Sequence, residues 1–364
     1  MRQHISEVND GDIMIIKNAL LQNGIFDIKI ENGKIADIGS FEADGDIDAK
    51  GKRVIPGMID THIHGFGGVD TSDGDLETIS RALALAGTTS FFPTTMTDSV
   101  ENLIATTNQP LPESGATVIG YHLEGPYISP AKKGAQNEAY IKAPDLNEFK
   151  KFNNVANISL APEVDGAEDF IKNCGCKVSI GHTACDCETA IKAIDAGADC
   201  LTHTFNAMPP LLHRDPGPIG AAAEKGIYTE LICDGRHVAK AAVLALYKMM
   251  GSDRVILISD AIRPAGLPNG KYDSGGLAVI MNDGALTLED GTLAGGSQPL
   301  LQCVKTAVSF GIDFYEAVKM ASETPAKRFG LNKGKIEKSY DADIVIINDD
   351  FSVSDVIIGG KLYK

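Results

Sequence analysis

A chain of 364 residues with 43% hydrophobic side chains can bury a large core, and the length suits one α/β barrel with additions. A formal net charge of −16 opposes contact with nucleic-acid phosphates, so no polynucleotide partner is expected. No apolar run reaches the roughly 18 residues of a membrane span.

Seven cysteines with no leader segment read as reduced thiols of a cytoplasmic protein. The pairs Cys174-Gly-Cys176 and Cys185-Asp-Cys187 have the wrong spacing for a C-x-x-C zinc knuckle. They read as packing residues.

The first ~55 residues are short strand-like pieces: Ile13–Lys17, Ile25–Ile30 and Lys34–Ile38. Turn signals at Glu31-Asn-Gly33 and Ala43-Asp-Gly45 punctuate them. The tail has the same texture, with Lys335-Ile-Glu337, Ala342–Ile347 and Val356–Gly360. A small β-sandwich domain built from 1–55 and 334–364 is therefore expected, around a different middle, 56–333.

That middle alternates eight apolar runs with helical patterns. The runs are Val54–Ile63, Thr88–Phe92, Thr117–Leu123, Ile158–Ala161, Lys177–Gly181, Cys200–His203, Tyr228–Cys233 and Val255–Ser259. Helices are expected at Leu76–Ala86, Glu188–Ala196 and Ala239–Met250. Repeated β-then-α units predict a (β/α)8 TIM-like barrel. After the eighth run, Tyr272–Ala294 reads as hairpin material, with turns at Asn282-Asp-Gly284 and Glu289-Asp-Gly291.

In such a barrel the active-site groups sit at the C-terminal ends of the strands. There the sequence places His62-Ile-His64, His122-Leu-Glu124, Gly181-His182, Thr202-His203 and Ser259-Asp260. Residues i and i+2 of a strand share a face, so His62 and His64 point together at the barrel axis. One strand histidine is ordinarily a satisfied core residue. Five of eight strand ends with metal-competent groups predict a metal site. Nitrogen and oxygen ligands without thiolate suit Zn²⁺ first, then Fe²⁺, Mn²⁺ or Co²⁺, in an open catalytic site. Asp260 is placed to move a proton.

This constellation resembles the amidohydrolase superfamily. Many members bridge two metals with a carboxylated lysine at strand four, where this chain has Leu160-Ala-Pro-Glu163 and no lysine. The stretch His122–Gln136, "HLEGPYISPAKKGAQ", instead resembles the N-acetylglucosamine-6-phosphate deacetylases, which use its glutamate as a ligand. Gly181-His-Thr183, His203–Gly217, Asp234-Gly-Arg-His237 and Ser259–Pro268 match the same family.

The resemblance implies hydrolysis of N-acetylglucosamine 6-phosphate to glucosamine 6-phosphate and acetate. It implies that Glu124, His182 and His203 hold the main metal. His62 and His64 add a second position, giving one or two ions per subunit. Asp260 becomes general base, then acid. His237 meets the sugar or the carbonyl, Asn206 and Ala207 meet the substrate, and Arg214 meets the phosphate. In relatives the loop of this arginine reaches a partner subunit, which implies a homodimer. Ala135 and Gln136 touch phosphate, at a place where some relatives have histidine instead of Gln136. The segment Ser297–Leu301, through Leu300, lines the substrate.

Blander readings attach to the neighbours. His122 is expected to pack rather than ligate and Lys132-Lys133 to be a solvated pair, while His213 stands evenly between a site and an ordinary surface role and Arg263 between the pocket and its loop. Rival functions are an N-acetylgalactosamine-6-phosphate deacetylase, an amidohydrolase of cyclic amides or nucleobases, and a non-catalytic metal scaffold or interaction protein.

Overall fold

The computed structural model of the chain describes residues 13–364; His4 and the rest of 1–12 lie outside the described residues. Eight parallel strands follow one another around a barrel: Met58–Ile63, Thr88–Thr95, Tyr121–Glu124, Val155–Leu160, Lys177–Ile180, Cys200–Leu201, Tyr228–Ile232 and Val255–Ile258. The eighth meets the first through specific hydrogen bonds. The Asp260 N–H donates to the His62 carbonyl at 3.0 Å, and the Ser259 N–H to Asp60 Oδ1 at 3.2 Å. This seam carries Asp260 to the histidine pair.

The expected first run, Val54–Ile63, is divided at Gly57 between two sheets. Arg53–Pro56 belongs to the small sheet and Met58–Ile63 to the barrel. A Cβ at Gly57 would lie 2.1 Å from Thr89 Oγ1, so only glycine lets the chain pass between the layers. The expected third run also divides, into Thr117–Val118 and Tyr121–Glu124.

Helices cover the barrel. Leu76–Leu85 turns Leu76, Ile79 and Leu83 to the core, the period-3.6 stripe of an amphipathic helix. Asp75 caps it by accepting from the Thr78 N–H at 3.1 Å, and Asp186 caps Cys187–Ala196 from Thr189 at 2.8 Å. Each such cap is worth about 1 kcal/mol. Lys240–Met250 begins one residue later than its pattern predicts.

The two chain ends form one mixed sheet of eight strands. Ile344–Ile347 lies antiparallel to Arg53–Pro56, and Ile13–Leu21 follows on the other side. Both halves of the sheet face a shared core of Ile16, Ile28, Ile35, Val54, Ile344 and Ile357. The two layers read from the sequence are thus the halves of one curled sheet. Lys335–Glu337 forms no strand.

The hairpin material becomes a three-stranded sheet, Gly270–Ser274, Leu277–Asn282 and Ala285–Thr287. Asp283-Gly284 turns with both φ positive, at 47° and 76°, as a two-residue hairpin loop requires. The chain then returns to the barrel, where the Gly296 N–H donates to the Asp260 carbonyl at 2.7 Å. Gly296 tolerates no side chain there, because its Cβ would stand 2.0 Å from the Ser259 carbonyl.

Candidate active site

Glu124 ends the third strand, and His62 lies within the first. His182, His203 and Asp260 each stand two residues beyond their strand ends, all with positive φ, at 45°, 26° and 48°. Left-handed backbone at a non-glycine residue is costly and persists only where its surroundings impose it. Here it tips three functional side chains inward over the barrel mouth.

Glu124 is the hub. Its Oε1 lies 2.9 Å from His203 Nε2, 3.1 Å from His182 Nε2 and 3.3 Å from His62 Nε2. Its Oε2 lies 3.3 Å from His64 Nε2. Asp260 Oδ1 lies 3.4 Å from His62 Nε2 and 3.3 Å from His64 Nε2. Two metal-competent triads result, Glu124–His182–His203 and His62–His64–Asp260, each with ligand atoms within 4.8 Å of one another. All six side chains are buried.

The electrostatics suit a cation. Burial pushes the Asp260 carboxyl up, yet His62 and His64 hold it down at about 2. Glu124 is likewise held well below the usual carboxylate range by His182 and His62, against its burial. In return the carboxylates overcome burial and raise His64 to about 9, with His62 and His182 raised as well. A field that retains protons on histidines retains a divalent ion for the same reason. Four Nε2 atoms and two carboxylates face one space, which a shared cation satisfies more fully than protons do. The donor set therefore fits the nitrogen- and oxygen-ligated metal expected from the sequence.

The outer ring nitrogens set the tautomers. His182 Nδ1 meets the Lys132 carbonyl at 2.8 Å, so it carries the proton and leaves Nε2 free to ligate. His237 Nδ1 meets Asp234 Oδ2 at 2.8 Å, while Asp234 Oδ1 accepts the N–H groups of Arg236 and His237. Burial pulls His237 down, but Asp234 more than offsets it and the net shift is upward. Asp234 is a partner the sequence reading quoted without a role, and Glu230, 3.2 Å from His62 Nδ1, is one it passed over. A glutamate inside the apolar strand Tyr228–Ile232 was the available signal.

A cleft of about 440 Å³ opens over the triads. Ala135, Gln136, Asn206, Ala207 and His237 all line it. Gln136 turns to Glu124, donating from Nε2 to Oε2, and its Oε1 accepts the Thr97 N–H at 2.6 Å. Thr292–Gly295, on the return from the hairpin, form part of the wall, a contribution that no residue pattern announced.

Two expected substrate residues lie elsewhere. Leu300 opens the helix Leu300–Ser309 and is fully buried in the main core, so its side chain packs rather than lines the cleft. Arg214 sits on an exposed loop outside the cleft.

The neighbours follow their bland readings. His122 has both nitrogens engaged, with the Thr61 carbonyl at 3.2 Å and Ser159 Oγ at 2.7 Å. Lys133 pairs with Glu138, and Arg263 with Asp70 and Asp73. Lys132 differs, because it lines the cleft. His213 is exposed, and the seven cysteines are free thiols.

The amidohydrolase family model matches residues 53–363. An N-acetylglucosamine-6-phosphate deacetylase of Bacillus subtilis is 36% identical, over 96% of this chain and 96% of that protein. An N-acetylgalactosamine-6-phosphate deacetylase of Escherichia coli is 34% identical, over 84% of this chain and 86% of that one. A crystal structure of a Mycobacterium smegmatis N-acetyl-D-glucosamine-6-phosphate deacetylase variant in complex with N-acetyl-D-glucosamine 6-phosphate superposes with a TM-score of 0.88. It is 29% identical and covers 97% of this chain and 99% of that one.

Proposed function

The chain belongs to the amidohydrolase family, and we propose that it hydrolyses N-acetylglucosamine 6-phosphate to glucosamine 6-phosphate and acetate, in amino-sugar metabolism. The observation that carries this reading is the meeting of Asp260 with a Glu124-centred histidine cluster beneath an open cleft.

Glu124, His182 and His203 would hold the main divalent ion, Zn²⁺ before Fe²⁺, Mn²⁺ or Co²⁺, and His62 with His64 a second. A bound ion supplies Lewis acidity and a water acidified from a pKa of ~15.7 to about 7. Asp260, ionised at neutral pH, takes the proton of the attacking water. It returns that proton to the amide nitrogen as the C–N bond breaks, so the amine leaves neutral and acetic acid departs with the water oxygen and the remaining water proton, which it then gives to solvent as acetate. His237 has Nδ1 committed to Asp234 and directs Nε2 at the substrate, where its protonated form donates to the carbonyl or a sugar hydroxyl. Asn206, Ala207 and Ala135 shape the sugar subsite, and Gln136 steadies Glu124.

Arg214 is read as the phosphate ligand of a neighbouring subunit in a homodimer. Its exposure and the exposed Leu211 and Leu212 beside it, 43% and 52% accessible, support that placement. Lys132, in the cleft and in no ion pair among the described residues, offers a second cation. The protein is read as cytoplasmic. Residues 1–55 with 334–364 are read as one domain and 56–333 as the catalytic barrel, a division supported by the break at Gly57.

The test is acetate release by metal-quantified protein from N-acetylglucosamine 6-phosphate, the galactosamine epimer and unphosphorylated N-acetylglucosamine. Release from the first and little from the third is expected. Faster release from the epimer would move the assignment to the galactosamine enzymes, a reading the Escherichia coli relative keeps in view. Silence with all three would leave the family and remove the substrate.

A further inference from the structure

Below the metal-competent cluster the barrel core holds a carboxylate that the mechanism does not use. Glu230 lies within the seventh strand, Tyr228–Ile232, and is fully buried. A buried carboxylate is costly unless partners satisfy it. Its Oε2 stands 3.2 Å from His62 Nδ1, and its Oε1 accepts from Thr61 Oγ1 at 3.2 Å.

Arg328, also fully buried, approaches Oε1 only to 4.0 Å. That guanidinium spends its close contacts on Asp199, Asn157 and Ser179, at 2.8–2.9 Å. The short contacts of Glu230 therefore run upward, to the first strand and its histidine. His62, His122 and Glu230 do form a third cluster of metal-competent atoms. Both nitrogens of His122 are already engaged, so that cluster works as a hydrogen-bonded support rather than as an ion site.

The four cluster histidines differ in what holds their outer nitrogen. His182 has a backbone carbonyl, while His64 Nδ1 and His203 Nδ1 are buried with no partner among the described residues. His62 alone has a carboxylate. An imidazole N–H donating to a carboxylate is fixed in tautomer and ring orientation, and its other nitrogen becomes a better ligand.

We propose that Glu230 is a positioning residue for the His62–His64 metal position, holding His62 with its proton on Nδ1 and its Nε2 lone pair aimed into the site. The proposal rests on reading His62 and His64 as ligands. It makes the second metal position depend on a residue below the first strand, while the Glu124–His182–His203 position does not.

The experiment is a Zn²⁺ titration of the full chain against a competing chromophoric chelator, on wild type, Glu230→Gln and Thr61→Val. Wild type is expected to take two equivalents. Glu230→Gln should weaken one of them by about 10–100-fold and leave the other unchanged. Thr61→Val, which removes only the hydroxyl that orients Glu230, should weaken the same position by less, and it carries the test if the glutamine variant does not fold. Equal weakening of both positions, or none of either, overturns the proposal. A wild type that binds one equivalent overturns the ligand role of His62 and the positioning role with it. Acetate release plays no part in the readout, so a wrong substrate and a wrong role for Glu230 give different results.

Discussion

The two halves of the cluster are built by different means. Glu124, His182 and His203 come from three strand ends, and two of them ride on left-handed backbone just past the strand. Their supports are loop groups, the Lys132 carbonyl and the Gln136 amide. His62 lies in the first strand and His64 one residue past its end, with Asp260 brought in across the barrel seam. The support of His62 comes from within the barrel, through Glu230. The first half is placed by loops that also face the cleft, and the second by the first strand, the residue that follows it and the barrel seam. Ligand positions on strands are the more exactly held, whereas those on loops respond to what occupies the cleft.

The largest expected effect falls on the residue that adds chemistry rather than binding. Asp260→Asn should lower kcat by roughly 10²–10⁴-fold with metal content retained; activity near wild type would place the base elsewhere. Glu124→Gln comes next, because Glu124 touches both halves. Metal analysis after dialysis should show the loop-held position losing more than the roughly 10–100-fold that outer-shell changes cost.

Replacing His62 and His64 together by asparagine should remove one equivalent and leave the loop-held half loaded. Loss of both equivalents would show the halves to be one unit. Leu300→Ala tests the core against the cleft. A cavity cost of about 2–5 kcal/mol in urea unfolding, with KM unchanged, is expected of a buried leucine. A raised KM at full stability would restore it to the substrate.

The smallest effect is a pH shift. His237 donates from both nitrogens only while cationic, and Asp234 raises its pKa, so the donor form survives to higher pH. Asp234→Asn removes that support. The alkaline limb of kcat/KM should therefore move to lower pH. An unmoved limb would separate His237 from the reaction.

Much of this was legible beforehand because barrel chemistry is written at strand ends. Short apolar runs gave the strands, and the polar residue closing each run gave His62, His64, Glu124, His182, His203 and Asp260 as neighbours before any distance was known. The burial of Leu300 was not legible, because a stretch matched by resemblance does not say which way a side chain turns. At the first position of an amphipathic helix, a leucine turns to the core. Gln136 was placed in the right cleft, but its choice of Glu124 as partner depends on how the loop folds back.

The sequence by itself determined the order of the strands and which strand ends carry metal-competent side chains, because periodicity and residue chemistry are local properties of the chain. Only the tertiary structure decided which nitrogen of each histidine faces inward. It alone set Glu230 beneath His62, 168 residues away along the chain, and brought the return segment Thr292–Gly295 to the wall of the cleft. These are pairings between distant segments. They follow from barrel closure and from burial that demands a partner for every polar group, and no window of sequence contains both members.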